Sequence, residues 1–128
     1  MMFDTDVLIF VQRGNLLAAQ LVQDAPSRHI SVQTYMELLQ CAPDRQAQRV
    51  VKDFLRSFDF STIPFSGNIG HRAAIYIEEY SLSFGLRAGD AIIAATAVES
   101  GLPLSSANRK HFRVIEDLEL RVFKPGGA

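Results

Sequence analysis

At 128 residues the chain is long enough for one domain with its own core, and 48% hydrophobic against 21% charged residues places it among ordinary globular proteins. A formal net charge of -1 excludes nucleic-acid binding by bulk charge, so such a partner needs a local basic patch. Cys41 is the single cysteine, which excludes an intramolecular disulfide and a zinc site built on several cysteines, and fits a reducing, cytoplasmic setting.

The first stretch, Met-Met-Phe-Asp-Thr-Asp-Val-Leu-Ile, organises the rest. Residues 2–4 read as a short strand with room for more chain upstream, and 7–13 as a first helix closed by Gly14. Asn15 is placed to cap a helix over 16–25, with Leu17, Leu21 and Val22 on one face and Pro26 as its stop. His29 to Val32 predicts a second strand, and 33–41 a helix carrying Glu37 beside Leu38 and Leu39. After Pro43, Asp44 caps an amphipathic helix over 45–58, with Val50, Val51, Phe54, Leu55 and Phe58 as its apolar face. Phe60 to Pro64 reads as a third strand. Ser66 opens a helix to about Phe84, striped by Ile69, Ala73, Ile77 and Tyr80 and ended by Gly85. Residues 88–100 are almost wholly apolar and predict a buried helix. A fourth strand over 103–105, a basic turn over 108–112, an edge strand over 120–123 and a Gly-rich flexible tail over 124–128 complete the chain.

Short strands alternating with helices predict a single α/β domain over 1–123, with a mainly parallel sheet flanked by helices. No apolar run approaches the roughly 20 residues that span a bilayer. Asp4 and Asp6 stand where a signal peptide carries positive charge, so no leader and no membrane partner are expected.

Three acids stand at chemically suggestive places. Asp4 ends a strand where a helix begins, at the sheet edge where ligands bind in open α/β folds. It equally suits a helix cap, as does Asp6, but two acids are one more than capping needs. Glu37 lies beside an apolar helical face, either on its solvated rim or held inward. Asp90 is the sole charge between Arg87 and Glu99, amid small residues, and suits either a site or the first turn of a helix. Gathered in one pocket, such carboxylates repel one another unless a cation joins them. Mg²⁺ or Mn²⁺ would suit that oxygen-rich set. His29, His71 and His111 are isolated and read as surface or satisfied residues.

Asp4-Thr5-Asp6-Val7-Leu8-Ile9 with Arg13-Gly14 resembles the first motif of PIN-domain proteins, especially VapC-type toxins of bacterial toxin–antitoxin pairs. Residues 31–38 (SVQTYMEL), 88–97 (AGDAIIAATA) and 105–112 (SSANRKHF) resemble the later motifs, in order and at family-like spacing. The resemblance implies a PIN-like fold and a Mg²⁺- or Mn²⁺-dependent ribonuclease acting on structured RNA such as tRNA or rRNA. It implies a homodimer held inactive by a cognate antitoxin. It also implies a pocket built from Asp4, Glu37 and Asp90, with Asn108 aligning Asp90 or a bound water. Thr5, Asp6, Ser106 and His111 would stand close behind. Many members carry an acid where this chain has His111, so three acids rather than four match the family's pocket.

Arg109, Lys110 and Arg113 make a basic run without an acid that suits RNA phosphates, with Arg13, Arg72 and Arg87 as weaker candidates. The same run suits a solvated turn. Two rivals stay open. One is a haloacid-dehalogenase-like phosphatase, echoed by Asp4-x-Asp6. The other is a domain that binds RNA or a partner without cutting, with His111 as the cause.

Overall fold

The computed structural model describes residues 1–127. Its centre is a sheet of five strands in the order β3-β2-β1-β4-β5, and every pairing is parallel. The strands are β1 (Met2–Phe3), β2 (His29–Ser31), β3 (Ser61–Ile63), β4 (Leu104–Ser106) and β5 (Leu120–Val122). The helices are α1 (Thr5–Gln12), α2 (Leu16–Asp24), α3 (Val32–Cys41), α4 (Arg45–Ser57), α5 (Gly67–Phe84), α6 (Ala88–Glu99) and the single turn α7 (Arg109–Phe112). The α/β expectation holds, and the sheet is parallel throughout its described strands.

Alternation along a strand sorts the core into two layers. Met2 faces Ala91, Ala94, Leu104 and Phe112 under α5 and α6. Phe3, next in sequence, faces Val7, Ile30, Leu38, Val51 and Leu55 under α1 to α4. Both are fully buried, as a central parallel strand requires. The largely apolar character of α6 follows from its place against β1, β4 and α5, with five of its residues at 1% exposure or less in that layer.

Caps set most helix starts. Asn15, Ser31, Asp44 and Ser66 each accept a backbone N–H three residues on, and Gly85 closes α5 at φ 72°. Several expected faces need correction. Leu17 is 47% exposed, while Val22 and Leu21 pack inward as expected and Ala18 is buried with them. Val50 is 60% exposed, because α4 meets the core along Val51, Leu55 and the partly buried Phe54. The basic turn is helix α7, capped by Asn108. Ala128, in the expected tail, lies outside the described residues; just before it, Gly127 N donates to the Lys124 carbonyl and Asn15 Nδ2 to the Pro125 carbonyl. No helix among the described residues is long and apolar enough to cross a membrane.

Candidate active site

The chain runs outward from β1 through β2 to β3, then returns to lay β4 on the other side of β1. Ligands bind outside the carboxyl ends of the strands at such a reversal. Here Asp4 follows β1 directly and Ser106 ends β4. Asp4 N donates to the Ser105 carbonyl at 2.9 Å, so the two strand ends are locked side by side.

Asp4 is 6% exposed and does two jobs. As the α1 cap, its Oδ1 accepts Thr5 N–H at 2.8 Å, and its Oδ2 accepts the Ser106 hydroxyl at 2.7 Å. The cap reading of Asp4 was therefore correct, and Asp6 is the acid that capping does not need. Asp6 reaches across to Ala107 N–H at 3.0 Å, while its Oδ1 is buried with no hydrogen-bond partner. Burial pushes the Asp4 carboxyl up to about 8, helped by the charges of Asp6 and Asp90 and opposed by the Ser106 and Thr5 hydrogen bonds. Burial also pushes Asp6 upward.

Glu37 comes from α3 and is half-buried, held inward rather than lying on a solvated rim. Its Oε1 accepts the Thr5 hydroxyl at 2.5 Å, and its Oε2 accepts Gln33 Nε2 at 3.2 Å. Thr5 Oγ1 also lies 3.0 Å from the buried Thr34 hydroxyl. Gln33 and Thr34 were not singled out from the sequence. The available signal was Gln33 one helical turn before Glu37, on the same face. Gly89 brings α6 up to this carboxylate: a Cβ there would stand 3.1 Å from Glu37 Oε2.

Asp90 lies in the first turn of α6, and the cap position before that helix, Arg87, makes no side-chain hydrogen bond. Asp90 Oδ2 meets His111 Nδ1 at 3.2 Å, and Asn108 Nδ2 meets the same nitrogen at 3.1 Å. Asn108 N donates to Ser106 Oγ at 2.9 Å, which ties this group back to Asp4. Arg109, Lys110 and Arg113 are exposed on and just after α7, and Arg13 and Arg87 are also exposed. Arg72 is not available to RNA: it pairs with Glu99 at 2.6 Å and Asp117 at 2.7 Å. His29 lies in β2 and His71 on α5, apart from these contacts.

Among the described residues, no three His, Cys, Asp or Glu side chains converge on one ion position. The physical reason is that Thr5 and Gln33 hold both oxygens of Glu37 while Ser106 and Thr5 hold those of Asp4. The donor set nevertheless fits a hard divalent ion, which takes one or two carboxylates and keeps several waters. No Lys or Arg pairs with Asp4, Asp6, Glu37 or Asp90 among the described residues. The Asp6 oxygen has no hydrogen-bond partner, and the buried Asp4 carboxyl has no cationic partner among the described residues.

The PIN domain family pattern matches residues 1–118. A chain of a toxin–antitoxin complex from Klebsiella pneumoniae is 31% identical over 97% of this chain and 96% of its own, with a TM-score of 0.78. VapBC-1 from nontypeable Haemophilus influenzae is 21% identical over 94% of this chain and 96% of its own, with a TM-score of 0.76. VapBC2 from Rickettsia felis, bound to a DNA fragment from its promoter, is 20% identical over 96% and 98%, with a TM-score of 0.75. The last two share the fold alone. No curated protein sequence matches the chain. The PIN match sets aside the phosphatase reading of Asp4-x-Asp6, since it accounts for the whole domain. The family pattern agrees with the motifs: the chain belongs to the PIN-domain family.

Proposed function

We propose that this PIN domain is a Mg²⁺- or Mn²⁺-dependent endoribonuclease that cuts structured RNA such as tRNA or rRNA. It acts in the cytoplasm as the toxin of a toxin–antitoxin pair, works as a homodimer and is silenced by a cognate antitoxin. The observation that carries the reading is a group of carboxylates without a cationic side chain, at the sheet's reversal point, in a PIN domain. The relative from Klebsiella pneumoniae, described as a toxin–antitoxin complex, supports the biological setting.

Asp4, Glu37 and Asp90 would hold the ion, which supplies acidity for a water nucleophile and positive charge for the phosphate in transition. The chain's own residues do the rest. Thr5 and Gln33 fix both oxygens of Glu37, so that carboxylate is oriented before substrate arrives. A carboxylate of the pocket orients the attacking water and takes its proton. Ser106 holds Asp4 and, through Asn108 N, the start of α7. Asn108 aligns Asp90 through the His111 ring. Exposed Arg109, Lys110 and Arg113, with Arg13, grip the phosphate backbone beside the pocket.

The test uses antitoxin-free protein with end-labelled tRNA, in Mg²⁺ or Mn²⁺ and in EDTA, beside Asp90→Asn. Discrete fragments that vanish in EDTA and fall at least about a thousandfold in the variant are expected. Full cleavage by Asp90→Asn would remove Asp90 from the mechanism. Folded protein that cuts neither tRNA, ribosomes nor total RNA would favour the binding-only reading. One observation speaks for that alternative: Asp90 pairs with a histidine where the motif commonly offers a further acid.

A further inference from the structure

Helix α4 carries a row of cations that the fold does not use. Arg45, Arg49, Lys52 and Arg56 follow one another at steps of four, three and four residues. At 3.6 residues per turn the four side chains fall within about 60° of one another around the helix, in a stripe about 16 Å long. All four are exposed, on the face opposite Val51, Phe54 and Leu55. Four of the chain's 13 Lys and Arg residues thus stand in one line, in a protein of net charge -1.

The stripe is unfavourable for the helix by itself. Like charges three or four residues apart repel, and three such pairs follow in succession. Arg45 also stands at the first helical position, where the helix dipole disfavours a cation. Asp53 is the single acid within α4, and it meets Arg56 at 3.6 Å with both side chains mostly exposed. Arg45, Arg49 and Lys52 have no acidic partner among the described residues, whereas Arg72 on α5 is answered by two carboxylates. A merely solvated face gains from mixed signs. A line of one sign is complementary to a row of phosphates, which would relieve its repulsion.

Helix α3 joins the stripe to the acids. Tyr35 and Glu37 are two residues apart and project from nearly opposite sides of it. Glu37 meets Thr5 and stands against Gly89 at the pocket. Tyr35 lines a shallow groove with Lys52, Arg56 and Thr62. One helix, about 10 Å across, therefore separates the end of the stripe from the pocket. A single nucleotide cannot touch both, but a folded RNA laid over α3 can. We infer that the α4 stripe is a second phosphate-backbone contact, which anchors a structured RNA on the β2–β3 side of the sheet while α7 holds it on the β4 side. The inference rests on the RNA reading given under Proposed function and adds a surface to it.

The experiment uses antitoxin-free full-length protein and total tRNA in EDTA, so that binding is read without cleavage. Titrations over a series of potassium chloride concentrations compare wild type with a variant carrying Arg45→Gln, Arg49→Gln, Lys52→Gln and Arg56→Gln. Each lost phosphate contact removes about 0.7 to 0.9 from the slope of log affinity against log salt, so the slope should fall by about three and affinity at moderate salt by at least about tenfold. The melting temperature should hold or rise, because the like-charge pairs are gone. Unchanged slope and affinity would overturn the inference. So would unchanged tRNA binding with lost binding of poly-glutamate, which would assign the stripe to an acidic protein. If the variant fails to fold, acetylation of the wild type decides, since the chain has three lysines, Lys52, Lys110 and Lys124, all exposed. Bound tRNA should protect Lys52 and leave Lys124, beyond β5, open. Lys110 protected with Lys52 open would remove the stripe and keep the α7 grip proposed above; the reverse pattern would keep the stripe and remove that grip. Absence of any tRNA binding would overturn both. Binding through the stripe by a protein that cuts no RNA in Mg²⁺ or Mn²⁺ would leave the inference standing and sink the ribonuclease reading alone.

Discussion

The molecule holds two groups of acids, and they are built on opposite plans. On one side Glu99 and Asp117 share Arg72, at 2.6 and 2.7 Å, and Tyr76 donates its hydroxyl to Asp117 at 2.9 Å. Burial, aided by that hydrogen bond, raises the Tyr76 hydroxyl to about 12, so it remains a donor. This group joins α5 to the end of α6 and to the loop before β5, and each charge in it is answered. At the sheet reversal, Asp4, Asp6, Glu37 and Asp90 meet only hydroxyls, amides and the His111 ring. The first arrangement stabilises the fold. The second stores repulsion that a cation would relieve, as functional sites often do.

The largest test of that contrast is Asp4→Asn. At the uncompensated site, removing a buried charge should stabilise the cation-free protein, on the order of 2 kcal/mol at alkaline pH, while Mn²⁺ binding is lost. Thermal unfolding and calorimetric titration read the two effects. A less stable variant would show that Asp4 is satisfied after all. The pH dependence follows from the same residue. Burial pushes the folded Asp4 carboxyl up to about 8, from 3.8 for the ordinary side chain. Between those values the folded chain holds a proton that the unfolded chain has released. Its contribution to stability is therefore full below about 4 and is lost as pH rises through about 8. The cation-free melting temperature should fall across that window, and the fall should flatten in Asp4→Asn.

How much of this was legible follows the sequence separation of the partners. Asp4 at a strand-to-helix junction, Asn15, Asp44 and Ser66 as caps, and Gly85 as a stop are local chemistry, read within four residues. The parallel sheet followed from the alternation of apolar segments. The strands are only two or three residues long, so their ends shifted by a residue or two. Contacts between distant segments were not legible. Thr5 reaches Glu37 across 32 positions, His111 reaches Asp90 across 21, and Arg72 reaches Asp117 across 45. A pattern of apolar residues also cannot tell how wide a stripe its neighbours will cover, which is why Val50 and Leu17 face solvent.

Arg72→Met probes the compensated group. Its side chain is 34% exposed, so solvent already screens the two ion pairs. A loss of about 1 kcal/mol in denaturant unfolding is expected, with RNA cleavage unchanged. A defect in cleavage would mean the two acid groups are coupled through α6, and the contrast drawn above would be false.

The finest test is Gly89→Ala, which adds one methyl group at the edge of the pocket. Gly89 sits in the first turn of α6 without positive φ, so alanine suits the helix better and the melting temperature should hold or rise slightly. The new Cβ, however, would stand 3.1 Å from Glu37 Oε2 and 3.3 Å from Gln33 Nε2. Contacts that tight push a side chain by a few tenths of an ångström, and Thr5 holds the other Glu37 oxygen. The carboxylate must turn rather than retreat. If it is oriented for catalysis, cleavage should slow by about three- to tenfold at unchanged RNA affinity, a small effect beside the larger loss that a full ångström of misplacement brings. If the rate is untouched while the crystal structure of the variant shows Glu37 displaced, its orientation does not matter, and the Thr5 and Gln33 hydrogen bonds serve only the fold.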